Sequence, residues 1–181
     1  QFRFYGGDAM KAEGGVLVCH YSQLAYMGFV QVALHLREIL TGMSRCKQDI
    51  AAYQPDAIIL VDYPGFNLGI AKWVKKKLSA KVFYYISPKI WAWKEYRLKD
   101  IRKYVDCMLS ILPFEVDYYK KHDYDVTYVG NPTVDELEPL RTENFSREAF
   151  CLAHDLNLNQ PIIAILAGSR KAEVMGNLPI M

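Results

Sequence analysis

Short apolar runs recur at 57–61, 82–86, 107–112 and 126–129, each rich in Ile, Val or aromatic residues, with segments of helical length and pattern at 67–78, 94–105 and 114–122 between them. Strands separated by helices pair most readily in parallel, with the helices as right-handed crossovers. Runs that are apolar throughout, rather than alternating, suit strands buried on both faces. The alternation therefore predicts an α/β fold, a Rossmann-like parallel sheet covered on both faces. With 51% apolar and 23% charged residues, and 13 Tyr, 8 Phe and 3 Trp, the composition excludes disorder, collagen-like repeats and a coiled coil. No apolar run approaches the roughly 18 to 20 residues of a bilayer crossing, so any membrane contact is expected to be peripheral.

Near Pro132 the pattern changes. Residues 135–160 are polar, of helix or loop character, and a new strand is predicted at 162–166 after Pro161. The expected organisation is a first domain at 1–134, a linker at 135–160 and the start of a second α/β domain at 161–181. The chain opens at Gln1 in a strand-like run without a signal-peptide pattern and stops soon after the second domain begins, which suggests a piece of a longer protein. Cys19, Cys46, Cys107 and Cys151 lie far apart with no CxxC, so neither a zinc ligand set nor a disulfide framework is expected, and the compartment reads as reducing. His20, His35, His122 and His154 show no metal spacing, and no metal is expected.

The net charge of +2 conceals an asymmetry: residues 72–103 hold 11 Lys or Arg against Glu95 and Asp100, a local +9 that leaves −7 elsewhere. Such a stretch is either a solvated helix surface or an electrostatic footprint for phosphates or anionic lipid. No nucleic-acid-binding motif accompanies it, so nucleic acid is not an expected partner. In the helical stretch 29–40 the apolar arc is wider than an ordinary core stripe, because Val32, Leu36, Phe29, Leu40, Ala33 and Ile39 share a face that Val30 and Leu34 extend. Deep burial between layers would explain that width, as would a helix with one edge on the sheet and the other on lipid, where Val30, Val32, Leu36, Ile39 and Leu40 are the membrane-facing candidates.

Three loops carry chemistry. Asp62 follows the apolar run 57–61 directly, ahead of Tyr63-Pro64-Gly65, which places a carboxylate at the carboxyl edge of the sheet, where open α/β folds bind ligands. There it is either a general base or a cap and turn former. The next strand delivers Ser87, Lys89, Trp91 and Trp93 to the same edge; the indoles either fill the core beneath the loop or line a sugar or acyl site. Gly168, Ser169 and Arg170 follow the strand predicted at 162–166, where exposed amides and a bidentate cation suit phosphate.

Several stretches, in order, resemble the lipid-A-disaccharide synthase family of GT-B glycosyltransferases. They are Gly6-Gly7-Asp8 with Gly14-Gly15, Tyr26-Met27-Gly28-Phe29-Val30, Val61-Asp62-Tyr63-Pro64-Gly65-Phe66-Asn67-Leu68, Ser87-Pro88-Lys89-Ile90-Trp91-Ala92-Trp93, Leu112-Pro113-Phe114-Glu115, Tyr128-Val129-Gly130-Asn131-Pro132 and Gly168-Ser169-Arg170. The resemblance implies the N-terminal half of a GT-B fold, with the start of a nucleotide-sugar-binding domain. It implies inverting transfer of a diacylglucosamine from UDP to 2,3-diacylglucosamine 1-phosphate, giving lipid A disaccharide 1-phosphate and UDP, without a cofactor. Asp62 would be the base; Gly168, Ser169 and Arg170 would hold the donor; Ser87, Lys89, Trp91 and Trp93 are acceptor-site candidates. The implied partners are a UDP-activated acylated sugar, an acylated sugar phosphate and an anionic membrane surface, at the cytoplasmic face of a bacterial inner membrane. The family has an N-terminal strand and a Gly-rich loop ahead of this chain's start and most of the nucleotide-binding domain beyond Arg170, so the resemblance implies a first domain, at 1–134, that lacks its N-terminal strand, and a chain that is inactive alone; the family also often has Pro where Ala167 stands. A UDP-sugar epimerase of related architecture and a non-catalytic lipid-binding module are the alternatives.

Overall fold

The structure, a computed structural model, describes residues 1–23, 36–141 and 146–181. Two compact units divide the chain, Gln1–Pro132 and Thr133–Met181. In the first, β1 (Arg3–Gly6) and β2 (Val16–His20) pair in parallel across the short helix α1 (Asp8–Ala12). After α2 (Leu36–Tyr53) comes a four-stranded parallel sheet, β3 (Ala57–Val61), β4 (Lys81–Tyr85), β5 (Cys107–Ser110) and β6 (Thr127–Tyr128), in that spatial order. Its crossovers are α3 (Pro64–Lys77), α4 (Leu98–Tyr104) and α5 (Phe114–Lys120). The α/β architecture expected from the alternation is present, with parallel pairing throughout.

Local chemistry explains the crossover helices. Pro64 opens α3, where a missing N–H costs nothing, and Lys75, Lys76 and Lys77 sit in its last turn against the negative end of the helix dipole. Phe66, Ile70, Ala71 and Val74, at helical spacing, form its buried face. They meet Leu60, Val82, Tyr84 and Met108 from the sheet and Ile101 and Tyr104 from α4 in one hydrophobic cluster. Asp106, just ahead of β5, accepts from Lys75 Nζ at 2.8 Å and from the Val82 amide at 2.8 Å, tying α3 to the strands. Although burial pushes its carboxyl up, these two donors outweigh that and hold it below the usual range.

Coverage on both faces is not what the strands at the sheet's two ends show, since β6 is exposed at both of its residues and β3 is open on one side. Leu60 is buried, but Ile59 is 61% exposed and Val61 is exposed beside it, so at β3 only one face is closed among the described residues. The cause is strand order. Because β3 to β6 follow one another in space as in sequence, right-handed crossovers put successive helices on the same face.

The second unit contains α6, which begins at Pro132 (Pro132–Arg141), α7 (Arg147–Ala153) and α8 (Lys171–Asn177). Ser146 caps α7, its Oγ accepting the Ala149 amide at 3.3 Å. The strand predicted at 162–166 is a correction. That segment joins no ladder among the described residues, and Ile163 and Leu166 are largely exposed. A local apolar run can extend a backbone, but a strand exists only where a neighbour takes its amides.

Four tyrosines give the fold an alkaline limit. Burial pushes the hydroxyls of Tyr5, Tyr84 and Tyr119 far above the ordinary value of 10, and that of Tyr124 up to about 12. Unfolded, they would ionise near pH 10, so stability is intact below about pH 10 and falls as pH rises further. The urea midpoint is expected to hold between about pH 7 and 9 and to drop by about pH 11. A midpoint unchanged at that pH would show that these hydroxyls ionise as readily folded as unfolded.

Candidate active site

The carboxyl edge of the four-stranded sheet is where the predicted residues converge. Beyond β3, Asp62 and Tyr63 take left-handed backbone conformations, with φ of 43° and 45°. Two such residues in succession, neither a glycine, are strained and persist only where the surroundings dictate them. Here the constraints are visible. The Asp62 amide donates to the Tyr85 carbonyl at 2.9 Å, and the Asp62 carbonyl accepts from the Tyr84 hydroxyl at 2.6 Å and from Asn67 Nδ2 at 2.7 Å. Asn67 Nδ2 also donates to the Val61 carbonyl at 2.9 Å, and the Phe66 and Asn67 amides take up the Tyr63 carbonyl at 3.1 and 3.0 Å. All these bonds involve the backbone of the turn. The Asp62 side chain is exposed, and no hydrogen bond or ion pair engages its carboxylate among the described residues.

At the end of β4 the chain is strained again, since Ile86, a β-branched residue, has a φ of 64°. Ser87, Pro88 and Ile90 are buried, whereas Lys89 is exposed and Trp91 and Trp93 are 40% and 64% exposed. Pro88 and Ile90 thus fill the core under this loop, and neither indole does. Among the described residues, Ser87 Oγ is buried without a hydrogen bond of good geometry; the nearby Tyr119 hydroxyl donates instead to the Pro88 carbonyl at 3.3 Å. Lys94 Nζ sits 3.8 Å from the centre of the Trp93 ring, a cation–π contact. Trp91 donates its Nε1–H to Glu115 Oε1 at 3.0 Å and meets Phe114 edge-on at 5.1 Å.

Because β3 and β4 are hydrogen-bonded neighbours with Val61 opposite Tyr85, the Asp62 turn and the 87–93 loop lie side by side. The structure thus brings Asp62, Ser87, Lys89, Trp91 and Trp93 to one edge.

In the second unit, Gly168 has a φ of 119°, and a Cβ there would come within 2.7 Å of the Glu173 side chain, so only glycine fits. The Ser169 and Arg170 amides both donate to Glu173 Oε2 at 3.2 Å, and Arg170 Nη1 reaches Glu173 Oε1 at 2.5 Å. These donors, the Arg170 side chain first, hold the Glu173 carboxyl below its usual range. The groups assigned to phosphate therefore embrace an anion already, one supplied by the chain itself.

Of the membrane-facing candidates, Val30 and Val32 lie outside the described residues, as does the Leu36 side chain. Ile39 packs inward against the core cluster, whereas Leu40 is 57% exposed. A cleft of about 490 Å³ beside Leu40's helix is lined by Tyr5, Cys19, Arg37, Thr41, Arg45 and Asp49 among others, and contains none of the catalytic, donor, acceptor or membrane-facing candidates.

Sequence reasoning missed the supports. Tyr84, Asn67, Ser110 and Glu115 orient the edge, yet only Asn67 and Glu115 fall in motif stretches, and neither is given a role there.

Comparison with known proteins places these motifs. The family model described as Lipid-A-disaccharide synthetase matches residues 1–181. A lipid-A-disaccharide synthase of Syntrophus aciditrophicus (strain SB) is 41% identical over 181 residues, 99% of this chain and 46% of that protein. Lipid-A-disaccharide synthase 1 of Legionella pneumophila (strain Lens) is 39% identical over 176 residues, 97% of this chain and 45% of that protein. A lipid-A-disaccharide synthase of Coxiella burnetii (strain CbuK_Q154) is 38% identical over 176 residues, 97% of this chain and 46% of that protein. The chain spans about half the length of the curated relatives it matches.

Proposed function

The chain belongs to the lipid-A-disaccharide synthase family, and from that membership we propose that it carries the acceptor-side portion of an inverting glycosyltransferase. The reaction joins a UDP-activated 2,3-diacylglucosamine to 2,3-diacylglucosamine 1-phosphate, giving lipid A disaccharide 1-phosphate and UDP. The observation that carries this reading is Asp62, an exposed carboxylate that is unengaged among the described residues, on a strained turn whose backbone is held by hydrogen bonds at the Asp62 amide and carbonyl. A base must be fixed in place yet free at its reactive atoms, and this turn meets both needs.

In the proposed step the Asp62 carboxylate takes the proton of the acceptor hydroxyl as its oxygen attacks the anomeric carbon. The bond from that carbon to the UDP oxygen breaks from the opposite face, and UDP leaves with the electron pair. Ser169 and Arg170 would trade Glu173 for the departing diphosphate, one anion replacing another on the same donors. Release of UDP from detergent-dispersed substrates by the protein's complete reading frame is the direct test. Absence of UDP release with the acylated donor and acceptor together would reject the reaction. Arg170→Ala is expected to raise KM for the UDP donor about tenfold or more while leaving KM for the acceptor unchanged. An unchanged donor KM would reassign Arg170 to its ion pair with Glu173.

An anionic membrane surface is the proposed site of work. No helix among the described residues is long and apolar enough to cross a membrane. Leu40 offers exposed apolar surface, and the +9 stretch offers cations for headgroups. Leu40→Ser is expected to reduce sedimentation with anionic vesicles at a thermal midpoint within a few degrees of the parent, and added salt is expected to weaken binding further. Undiminished vesicle binding in Leu40→Ser would remove that residue from the contact.

A further inference from the structure

Glu115 is only 1% exposed, and its carboxylate is held by neutral donors from two other elements. Trp91 Nε1–H donates to Oε1 at 3.0 Å, and the Ser110 hydroxyl donates to Oε2. Ser110 ends β5, where its carbonyl accepts the Val129 amide at 2.9 Å and its hydroxyl oxygen accepts the Leu112 amide at 3.2 Å. One end of the clamp is therefore anchored in the sheet. The other end holds a loop that is itself pinned, since Pro88 and Ile90 are buried and the Ala92 amide closes on the Lys89 carbonyl at 3.1 Å. Phe114 adds an edge-on ring contact, so the indole is gripped along its N–H edge and against one ring while the residue stays 40% exposed.

Burying a carboxylate is costly unless its lone pairs are used, and an indole has a single polar hydrogen to direct. Spending both on each other fixes the orientation of an apolar ring at the edge where Asp62 stands. A sugar binds an aromatic face more tightly when the ring is already held in place, because ordering it at the moment of binding subtracts from affinity. We infer that Glu115 is a positioning residue that locks the Trp91 indole in one orientation as a platform for the acceptor sugar. This rests on the glycosyltransferase reading for the identity of the sugar, but the lock itself can be read without turnover.

The test has two arms. In the first, Trp73→Phe and Trp93→Phe leave Trp91 as the sole indole of this chain, and Glu115→Ala is added. The expected result is lower fluorescence anisotropy and at least a twofold rise in acrylamide quenching, with Glu115→Gln close to the parent, because its amide can still accept from Trp91 and donate to Ser110. Unchanged anisotropy and quenching in a folded Glu115→Ala overturns the lock. Should Glu115→Ala not fold, Glu115→Asp, a methylene short of Trp91, takes its place with the same expectations.

The second arm measures steady-state transfer in the protein's complete reading frame. Trp91→Phe, which keeps an aromatic face but lacks the N–H, and Glu115→Ala should each raise acceptor KM about tenfold with kcat within about threefold. The double variant should fall no further than the worse single one, and Glu115→Gln should restore the parent KM. Fully additive losses, or a Glu115→Gln as impaired as Glu115→Ala, overturn the positioning role. If the parent transfers no sugar while the first arm gives the expected result, the glycosyltransferase reading fails and the lock stands.

Discussion

Asp62→Asn is expected to lower kcat at least about a hundredfold, the low end of what a positioned base contributes, and to leave the fold intact. The fold should survive because the turn is held through main-chain atoms. The Asp62 amide and carbonyl make its bonds to Tyr85, Tyr84 and Asn67, and asparagine keeps both and tolerates a left-handed backbone well. What changes is confined to the carboxylate, which as an amide can no longer accept the hydroxyl proton. If Asp62 instead serves only as a turn former, Asn at that position is nearly silent. The measurement is kcat and both KM values in the complete reading frame, with a urea midpoint on the same preparation. A kcat within tenfold of the parent at an unchanged midpoint would take the base role from Asp62.

How much of this was legible in the residues depends on how local the cause is. Strands β3 to β6 and helices α3 to α5 were readable because each is specified by its own run and its own breaks, such as Pro64 at the start of α3. The 94–105 segment has the pattern of one helix, but it begins as a short 3-10 turn at Glu95–Arg97 before α4. The length of α2, through Tyr53, is not legible, because Thr41 and Gly42 interrupt the apolar pattern of 29–40 and Arg45, Lys47, Gln48 and Asp49 follow. One-sided coverage at β3 was not readable, since it follows from the order of strands in space, which no run records. The same division holds at the site. Asp62 and the two indoles could be found from their place just after a strand. Their supports could not, because Tyr84 reaches Asp62 across 22 residues and Glu115 reaches Trp91 across 24.

Tyr84 is where stability and chemistry meet, and two substitutions there should separate them. Its side chain is wholly buried, in the cluster that joins the sheet to α3 and α4, while its hydroxyl donates to the Asp62 carbonyl at 2.6 Å. Tyr84→Ala removes a buried ring, a loss of about 3 to 5 kcal/mol by comparison with other large aromatic truncations. Against a total stability of roughly 5 to 15 kcal/mol, the variant is expected to fail to accumulate in soluble form or to melt far below the parent. Tyr84→Phe keeps the ring and removes only the donor, costing about 0.5 to 1.5 kcal/mol. The Asp62 carbonyl still has Asn67 Nδ2, so no buried acceptor is orphaned and the fold persists. The turn, however, loses one of the bonds that oppose its strain, and Asp62 gains freedom at the point of proton transfer. Turnover should therefore fall about tenfold at nearly unchanged KM, a loss out of proportion to the small drop in urea midpoint. A Tyr84→Phe variant with parental kcat would mean that Asn67 and the Tyr85 carbonyl alone hold the base in register, and that the hydroxyl serves only the core.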